Sequence, residues 1–355
     1  MSAKPKKNDG LFTRDDLRHY RAVLRPPLHG TFREYEIITV APPSSGGVAL
    51  LETLNMLEPL LAPEDKPEDP QTIHFVAEAL RRAFADRARY LADPDFASVP
   101  VAGLIDKGYA AQFCATINRQ RASASTELER PDPLRFQTDA PATATSSSPL
   151  GEIENTTHFS VMDTAGNAVA NTYTINELYG NGITVPGLGF LLNNTMDDFT
   201  TRPGEPNVLF SLVQSEGNKI EPGKRPLSSM TPTIIVRNGQ NILALGSPGG
   251  PRIISAMVEV LLHRLLFGDD LALAVARPRF HHQWLPDKLF VEEGVYTEAQ
   301  LEALRARGHV VRDISEITTA RPPAVGQVNA IERNPLTGEL YGVADARRGG
   351  LARGY

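Results

Sequence analysis

The stretch NTTHFSVMDTAGNAVANTYT, residues 155–174, contains two runs of strand-forming residues at 158–162 and 168–174. The five residues between them end in a Gly-Asn pair that suits a tight turn, so the pattern predicts a β-hairpin. A Ser/Thr/Pro-rich segment precedes this hairpin. The hydroxyl residue Thr156 therefore stands where a flexible segment meets a sheet.

Thr156 is a candidate nucleophile. A threonine hydroxyl is a weak nucleophile at neutral pH and needs a neighbouring base. If the bond between Asn155 and Thr156 were cut, the freed α-amine of Thr156, with a pKa of roughly 8, would be that base on the same residue. A Thr-Thr pair entering a strand is also explained by β-propensity alone, so these residues by themselves leave both interpretations open.

The wider sequence resembles the γ-glutamyltranspeptidase (glutathione hydrolase) family. The motifs that carry the resemblance occur in the order typical of that family. They are TTHFSVMD (156–163), GNAV (166–169), TYTIN (172–176), LLNNTMDDF (191–199), KRPLSSMTPTI (224–234), GSPGG (246–250), PRFHHQWLPD (278–287) and the closing GY. The resemblance thus extends from about residue 11 to the end of the chain.

Composition excludes several classes of function. The chain has 355 residues, 41% of them hydrophobic, which is enough for one large domain or two modest ones. Its net charge of −6 is mixed along the sequence, without a basic stripe, so nucleic acid is not an expected partner. No apolar run reaches the roughly 18 residues of a membrane span. The single cysteine, Cys114, excludes an internal disulfide.

The cellular compartment stays undecided at this stage. Residues 1–10 are charged and polar and lack the apolar segment of a secretory signal. Members of the resembled family are commonly periplasmic or extracellular. The absent signal is therefore compatible with a missing front portion as well as with another location.

The order of predicted elements, strands followed by helices and then strands, favours an α+β fold of two layered sheets with helices outside. The resemblance implies the four-layer αββα sandwich of the N-terminal-nucleophile (Ntn) hydrolases, lacking the N-terminal part of the large subunit. We expect a disordered lead-in at 1–10, a large-subunit-like region at 11–155 and a small-subunit-like catalytic region at 156–355. The first region ends in a Ser/Thr/Pro-rich linker at 119–155. The Asn155/Thr156 boundary is then a processing junction inside one fold.

Two segments of the first half invite an anion-binding interpretation. The helix predicted at 70–91 carries an apolar stripe, and its arginines fall largely off that stripe, so a solvated face is the favoured prediction. These arginines are Arg81, Arg82, Arg87 and Arg89. The APPSSGG segment at 41–47 lacks the lysine of a P-loop, so a plain turn is predicted there.

The resemblance implies catalytic roles for four residues. Thr156 would be the nucleophile and, after cleavage, the base, and the hydroxyl of Thr174 would hydrogen-bond to it. Gly249 and Gly250 precede a helix and would supply the backbone N–H groups of an oxyanion hole, a use to which glycine-rich helix starts are suited.

The resemblance also implies a grip on the glutamyl head of a substrate. Asn176 would help to hold the substrate, Asp198 would receive its ammonium group, and Ser228 and Ser229 would bind its α-carboxylate. No cofactor is expected. His281 and His282 are adjacent and lack a nearby set of further ligands, so structural roles are predicted for them and no metal site is expected.

Three departures from the family pattern qualify these roles. The family's large subunit carries a front portion with an arginine that pairs with the substrate α-carboxylate, and this chain contains no counterpart of it. Thr195 replaces a glutamate or glutamine that contacts the substrate amino group. Leu209 replaces a tyrosine found in the lid of many bacterial members, and these changes suggest altered glutamyl recognition.

The implied function is that of a γ-glutamyltransferase or glutathione hydrolase. After autocleavage between Asn155 and Thr156, a γ-glutamyl ester would form on Thr156 and pass to an amino acid, a peptide or water. One alternative is a non-catalytic or half-enzyme homologue that needs a separate N-terminal-half polypeptide. Another is a cephalosporin-acylase-like amidohydrolase, which the lid-like segment at 200–224 and the Asp198 and Ser228-Ser229 motifs disfavour.

Overall fold

The computed structural model describes residues 13–137, 154–318 and 322–354, with the side chains of residues 154 and 155 left out. The predicted lead-in at 1–10 and residues 138–153 of the predicted linker lie outside the described residues. None of the described helices is both long enough and apolar enough to cross a membrane.

The described chain is a mixed α and β structure. The strands are β1 (Leu28–Phe32), β2 (Tyr35–Thr39), β3 (Glu154–Met162), β4 (Ala168–Glu177), β5 (Thr233–Arg237), β6 (Gln240–Gly246), β7 (Phe280–His281), β8 (Leu289–Val291), β9 (Val311–Asp313), β10 (Asn329–Arg333) and β11 (Leu340–Val343). The helices are α1 (Arg14–His19), α2 (Gly46–Leu57), α3 (Pro70–Tyr90), α4 (Val101–Leu104), α5 (Lys107–Cys114), α6 (Arg252–Leu265), α7 (Leu271–Ala276) and α8 (Glu298–Ala306).

A six-stranded antiparallel sheet in the order β1-β2-β5-β6-β10-β11 forms the centre of the molecule. Strands β5 and β6 form a hairpin, and Asn238 and Gly239 at its turn have φ angles of 52° and 73°. Positive φ at both central residues gives the turn the twist that matches antiparallel strands. The sequence prediction missed β1, which pairs with β2 across a turn at Arg33.

The predicted hairpin at residues 155–174 is also present as the two-stranded sheet β3-β4. It packs against β6 and β10 of the central sheet, which gives the two stacked β layers expected for the fold. Its outward side chains remain largely in solvent, with Phe159 45%, Val161 50% and Tyr173 58% exposed. The outer helical layer expected on that side is therefore missing from the described residues.

The helices enclose one continuous hydrophobic core. Helix α2 contacts α3, α5, α6 and β1, and it is buried along its whole length. The apolar stripe predicted for α3 is confirmed, since Ile73, Val76, Leu80 and Phe84 are at most 3% exposed. This core includes Val48 near the start of α2 and Ile253 near the start of α6.

The prediction of a solvated arginine face on α3 is wrong. Arg81, Arg82 and Arg87 are each no more than 2% exposed, and only Arg89 faces solvent. Glu78, one turn earlier on the same helix, accepts from Arg81 Nε at 3.0 Å and from Arg82 Nη1 at 2.7 Å. Buried charges persist when they are paired and hydrogen-bonded, and pairing within the helix makes this burial tolerable.

Part of the segment predicted as a linker is packed onto α3. Ser123 donates to the Glu78 carboxylate, and Ser125 accepts from Arg81 Nη1 at 2.6 Å. The backbone N–H of Ser125 also donates to Asp287 at 2.7 Å. The linker predicted from composition therefore begins, at the earliest, beyond this packed segment.

Candidate active site

A small pocket opens where the β3-β4 hairpin, the start of α6 and the loop at 226–230 meet. Seven of the residues proposed from the sequence line it. They are Thr156, Thr174, Asn176, Asp198, Ser228, Ser229 and Gly250. Phe210, Leu212, Leu227, Met230 and Ile253 form its apolar wall, and Arg87 completes the lining. Residues that are up to 166 positions apart in the sequence thus meet in one place.

Thr156 and Thr174 face each other across the hairpin. The two residues pair directly in the strand register, and the Thr156 hydroxyl lies 3.2 Å from Thr174 Oγ1. The backbone N–H of Asn176 donates to the same Thr174 oxygen at 2.8 Å. Thr156 is half-buried, so its hydroxyl is held in place and still reachable from the pocket.

The pairing of the hairpin is irregular at the proposed cleavage point. Thr156 pairs with Thr174 but Glu154 pairs with Glu177, so two residues of β4 oppose the single residue Asn155. Asn176, on the β4 side, has a φ of 75°, a left-handed conformation that asparagine tolerates better than most residues. Such a bulge interrupts the regular ladder beside the bond between Asn155 and Thr156.

Asp198 presents the pocket's carboxylate. Its withdrawal from solvent, together with the neighbouring charge of Asp197, raises the pKa of Asp198 to about 7, while Arg87 and the Asn176 side chain act in the opposite direction. Its backbone carbonyl accepts from Gln214 Nε2 at 3.0 Å and from Asn218 Nδ2 at 2.7 Å. These two bonds fix the turn that aims the carboxylate.

Asp197 does not face solvent. It is 2% exposed, and its carboxylate accepts from the backbone N–H of Leu209 at 2.9 Å. Leu209 packs against the hydrophobic core. The first aspartate of the pair therefore anchors the lid-like loop, and the second is left for the pocket. Thr195 bonds within its own turn, because its hydroxyl donates to Asn193 Oδ1 at 2.6 Å.

The segment predicted as a plain turn at 41–47 supports the serine pair. The backbone N–H and the hydroxyl of Ser45 both donate to the carbonyl of Ser228, at 2.8 and 2.7 Å. A Cβ on Gly46 would lie 2.1 Å from Thr231 Oγ1 and 2.5 Å from the carbonyl of Met230. Glycine at this position therefore permits the close approach of the start of α2 to the serine loop.

Arg87 is the pocket residue that the sequence interpretation missed. Its Nε donates to Ser45 Oγ at 2.9 Å, and its Nη2 donates to Ser229 Oγ at 3.3 Å. A signal for it existed, because Arg87 follows Phe84 by three positions and Leu80 by seven, which places it on the apolar stripe of α3. An arginine on a buried stripe needs a specific reason to be there.

Gly249 and Gly250 have φ angles of 131° and 56°, which favour glycine. Gly250 lines the pocket, and a Cβ on it would lie 2.3 Å from Phe210 Cε1. Within the described part of the chain, neither backbone N–H donates to a protein acceptor. The Gly250 amide at the entrance of α6 is thus available to a developing negative charge, whereas Gly249 is buried and is not among the residues that line the pocket.

The histidines have protein partners. His281 Nδ1 lies 2.7 Å from Ser255 Oγ, its Nε2 lies 2.9 Å from Gln283 Oε1, and burial lowers its pKa to about 3. Of the described residues, one group, His74, Glu78 and His309, has the spacing of a metal site. Glu78 already serves two arginines, and His74 Nδ1 lies 2.9 Å from His309 Nε2, so this group is explained by its internal bonds.

Comparison with known proteins shows what the chain is similar to as a whole. The family profile described as Gamma-glutamyltranspeptidase matches residues 1–355. The chain is 42% identical over 347 residues to a glutathione hydrolase proenzyme of Escherichia coli (strain K12), covering 98% of this chain and 55% of that protein. It is 37% identical over 354 residues to the acylase ACY 1 proenzyme of Pseudomonas sp. (strain SE83), covering 98% of this chain and 56% of that protein.

Solved structures show the same relationship. A γ-glutamyltranspeptidase chain from Pseudomonas nitroreducens, complexed with L-DON, superposes with a TM-score of 0.51 at 41% identity, over 56% of this chain and 99% of that chain. A cephalosporin acylase from Bacillus halodurans superposes with a TM-score of 0.77 at 24% identity, over 98% of this chain and 56% of that chain. The latter likeness concerns the fold, which is that of the Ntn hydrolases.

The chain spans about half the length of the curated relatives it matches. Within that span, the profile match, the relatives and the fold agree. The chain belongs to the γ-glutamyltranspeptidase family.

Proposed function

We propose that this chain is a γ-glutamyltransferase or glutathione hydrolase in which Thr156 becomes an N-terminal nucleophile. The observation that carries the proposal is the meeting of Thr156 and Thr174, 3.2 Å apart, in one pocket with Asp198 and Ser229. A nucleophile, a carboxylate and hydroxyl donors in one pocket are the elements needed to hold and cleave an amide of an amino acid.

The first step is cleavage of the chain by its own threonine. Before cleavage the nitrogen of Thr156 is an amide and cannot accept a proton. Thr156 Oγ1 attacks the carbonyl carbon of Asn155, the C–N bond breaks, and the nitrogen takes up a proton to become an amine. Water then hydrolyses the resulting ester and leaves Asn155 as a carboxyl end and Thr156 as an amino end.

The freed α-amine, with a pKa of roughly 8, serves as the base for the transfer reaction. It takes the proton of Thr156 Oγ1 as that oxygen attacks the γ-carbonyl carbon of a γ-glutamyl compound such as glutathione. The negative charge on the carbonyl oxygen faces the N–H group of Gly250, and the leaving amine receives the proton. The γ-glutamyl ester then passes to water or to the amine of an amino acid or peptide.

Recognition of the substrate head follows from the charges of the pocket. The Asp198 carboxylate is suited to the ammonium group, and Ser228 and Ser229 are suited to the α-carboxylate as hydroxyl donors. Asn176, at the bulge of β4, lines the same pocket as Thr156 and Asp198. This arrangement favours γ-glutamyl compounds with a free amino acid head.

A second candidate is a half-enzyme that needs a separate polypeptide for activity. The outward side chains Phe159, Val161 and Tyr173 favour it, since an uncovered apolar face on the nucleophile-bearing hairpin is suited to packing against another element. The cephalosporin-acylase-like alternative receives no support from Asp198, because an acyl side chain without an ammonium group has no use for a pocket carboxylate.

The test is the fate of the bond between Asn155 and Thr156. In the purified protein we expect two polypeptides, the smaller beginning at Thr156, and hydrolysis of L-γ-glutamyl-p-nitroanilide. The Thr156→Ala variant should remain one polypeptide and lose at least about a thousandfold in activity, since both the nucleophile and its base are removed. Thr157→Ala, a neighbouring threonine outside the pocket, is the matched control.

Three outcomes separate the alternatives. Activity of the free-standing chain excludes the half-enzyme, whereas activity only after coexpression with the portion present in the longer relatives supports it. Turnover of an acyl amide without an ammonium group, at a rate equal to that of the γ-glutamyl anilide, would favour the acylase. An intact wild-type chain under every condition, with Thr156→Ala indistinguishable from it, would end the proposal.

A further inference from the structure

The guanidinium of Arg87 is a buried cation with neutral partners. It is 2% exposed, and its hydrogen bonds go to Ser45 Oγ at 2.9 Å, Gln214 Oε1 at 3.4 Å and Ser229 Oγ at 3.3 Å. Across the described ranges, no carboxylate lies within the 4.0 Å of an ion pair with it. Burial lowers the pKa of Arg87 to about 10, which leaves it charged at neutral pH.

Two other buried arginines of the same helix are paired with carboxylates of the protein. Arg81 and Arg82 share the Glu78 carboxylate, and Arg81 has a second carboxylate in Asp287. An unpaired buried charge is unfavourable, and removal of one partner of a buried pair is strongly destabilising. Arg87 lies in the pocket without a carboxylate in ion-pairing distance. Its guanidinium is therefore suited to bind the carboxylate of a ligand.

The hydrogen bonds of Arg87 connect it to both serines. Ser229 Oγ accepts from Arg87, so its own proton is left to be donated into the pocket. Ser45 Oγ also accepts from Arg87 and donates its own hydrogen bond to the carbonyl of Ser228. One guanidinium therefore orients the hydroxyl of Ser229 directly and supports the backbone of Ser228 through Ser45.

Arg87 and Asp198 also give the pocket two opposite charges. The two are close enough for the charge of Arg87 to lower the pKa of Asp198, yet they form no ion pair in the described chain. A pocket with a separated cation and anion is complementary to a ligand that carries an ammonium and a carboxylate on one carbon. An uncharged α-carboxamide would leave the cation without its counter-ion.

We infer that Arg87 is the positioning residue that supplies positive charge to the α-carboxylate site and selects amino acid heads with a free carboxylate. This inference rests on the proposed function for the identity of the pocket. Arg87 acts through the hydroxyl of Ser229 and through its field. Arg87 thereby contributes to the discrimination between a free and a blocked α-carboxylate.

The test is calorimetric binding of two probes, L-glutamate and its α-carboxamide, to the purified full chain in whatever state of cleavage it is obtained. The wild-type chain should prefer L-glutamate. Arg87→Gln should weaken L-glutamate roughly 10- to 100-fold and leave the carboxamide within about threefold, because a charge-assisted interaction is lost for the first probe only. Arg89→Gln, an exposed residue one half-turn further along α3, should leave both values unchanged.

A structural role alone would weaken both probes alike. Equal weakening, an unchanged preference in Arg87→Gln, or a wild-type chain that binds neither probe would overturn the inference. Should Arg87→Gln fail to fold, Arg87→Lys decides: it keeps the charge but cannot bond both serines, so L-glutamate should weaken about 3- to 10-fold with the carboxamide unaffected. No change for either probe in that variant would also overturn it.

Because the binding experiment needs no turnover, failure of this inference can be told apart from failure of the proposed function. A chain that cleaves at Thr156 and turns over γ-glutamyl anilide, yet shows no dependence on Arg87, keeps the function and loses this inference. In a turnover-competent chain, Arg87→Gln should raise KM for the free-carboxylate anilide far more than it changes kcat.

Discussion

The middle of helix α3 and its C-terminal end differ in how a buried charge is paired. Near its middle, Glu78 lies between Arg81 and Arg82, and every charge has a protein partner. One to two turns later, Arg87 reaches a pocket in which hydroxyls and an amide are its partners and Asp198 lies beyond ion-pairing distance. The contrast indicates that the ion-paired charges of Glu78, Arg81 and Arg82 stabilise the fold, whereas the charge of Arg87 is available to bind a ligand.

The pKa values follow the same division. The two arginines hold the pKa of Glu78 at about 2 despite its burial, so this carboxylate is stabilised in its charged form. In the pocket, burial and Asp197 raise the pKa of Asp198 to about 7, so its charged form is disfavoured until a cation arrives. The substrate's ammonium group would be that cation.

The largest expected effect comes from an isosteric pair of variants, Glu78→Gln and Asp198→Asn. Glu78→Gln leaves two buried guanidinium groups poorly paired and should lower the free energy of unfolding by about 3 kcal/mol or more. Asp198→Asn should not lower it, because no protein partner loses its counter-ion and the substitution removes a carboxylate whose charged form is disfavoured by burial. Urea unfolding of both variants measures the difference.

Binding should show the reverse order. Asp198→Asn should weaken L-glutamate by about 100-fold through the loss of the ammonium's partner, and Glu78→Gln should leave the affinity of the folded protein within about threefold. The comparison fails if Asp198→Asn is the less stable variant, or if Glu78→Gln is the weaker binder.

A smaller effect is expected from pH. Asp198 must be ionised to receive an ammonium group, so the affinity for L-glutamate should rise up to about tenfold per pH unit below 7 and level off above it. The Asp198→Asn variant should lack this rise. Calorimetric titrations between pH 5.5 and about 8 would measure it, and a flat wild-type profile would contradict the raised pKa.

Stability should depend on the two carboxylates with opposite signs. The folded-state pKa of Asp198 lies above its usual 3.8, so its contribution to stability is present at low pH and is lost as pH rises from about 4 to about 7. The folded-state pKa of Glu78 lies below its usual 4.5, so its contribution is present above that value and is lost as pH falls towards 2. Each isosteric variant should remove its own slope.

The smallest expected effect belongs to the residue that links the two serines. Ser45→Ala removes an acceptor of Arg87 Nε and a donor to the Ser228 carbonyl, and should lower the free energy of unfolding by about 1 kcal/mol. L-glutamate should bind roughly threefold more weakly, and its α-carboxamide should be little affected. Ser44→Ala, which removes a bond to Met230 instead, is the matched control.

Much of the fold could be predicted from local signals. The hairpin of β3 and β4 follows from alternating residues around Gly166 and Asn167, and α3 follows from its apolar stripe. Strand β1 was missed because its central residues, His29 to Thr31, are mostly polar or glycine and lie at one edge of the sheet. Edge strands are supported by one neighbour and carry a weaker pattern.

Only those pocket residues that stand in recognisable sequence motifs could be predicted. Thr156, Asp198 and the serine pair stand in motifs, whereas the support of Ser45, Gln214 and Arg87 depends on contacts between residues 42 to 142 positions apart. The burial of Arg81 and Arg82 was likewise hidden, since it depends on Glu78 and on the packed segment around Ser125. The charge of these arginines alone predicts that they face solvent. Their partners in the folded chain allow them to be buried instead.

The central claim, that Thr156 becomes an amino-terminal nucleophile, is tested most directly by mass spectrometry of the protein quenched in acid during turnover of a γ-glutamyl compound. We predict a polypeptide that begins at Thr156 and carries a γ-glutamyl ester on that residue. Consumption of the γ-glutamyl compound with the bond between Asn155 and Thr156 unbroken, or with the acyl group on any other residue, would contradict the account.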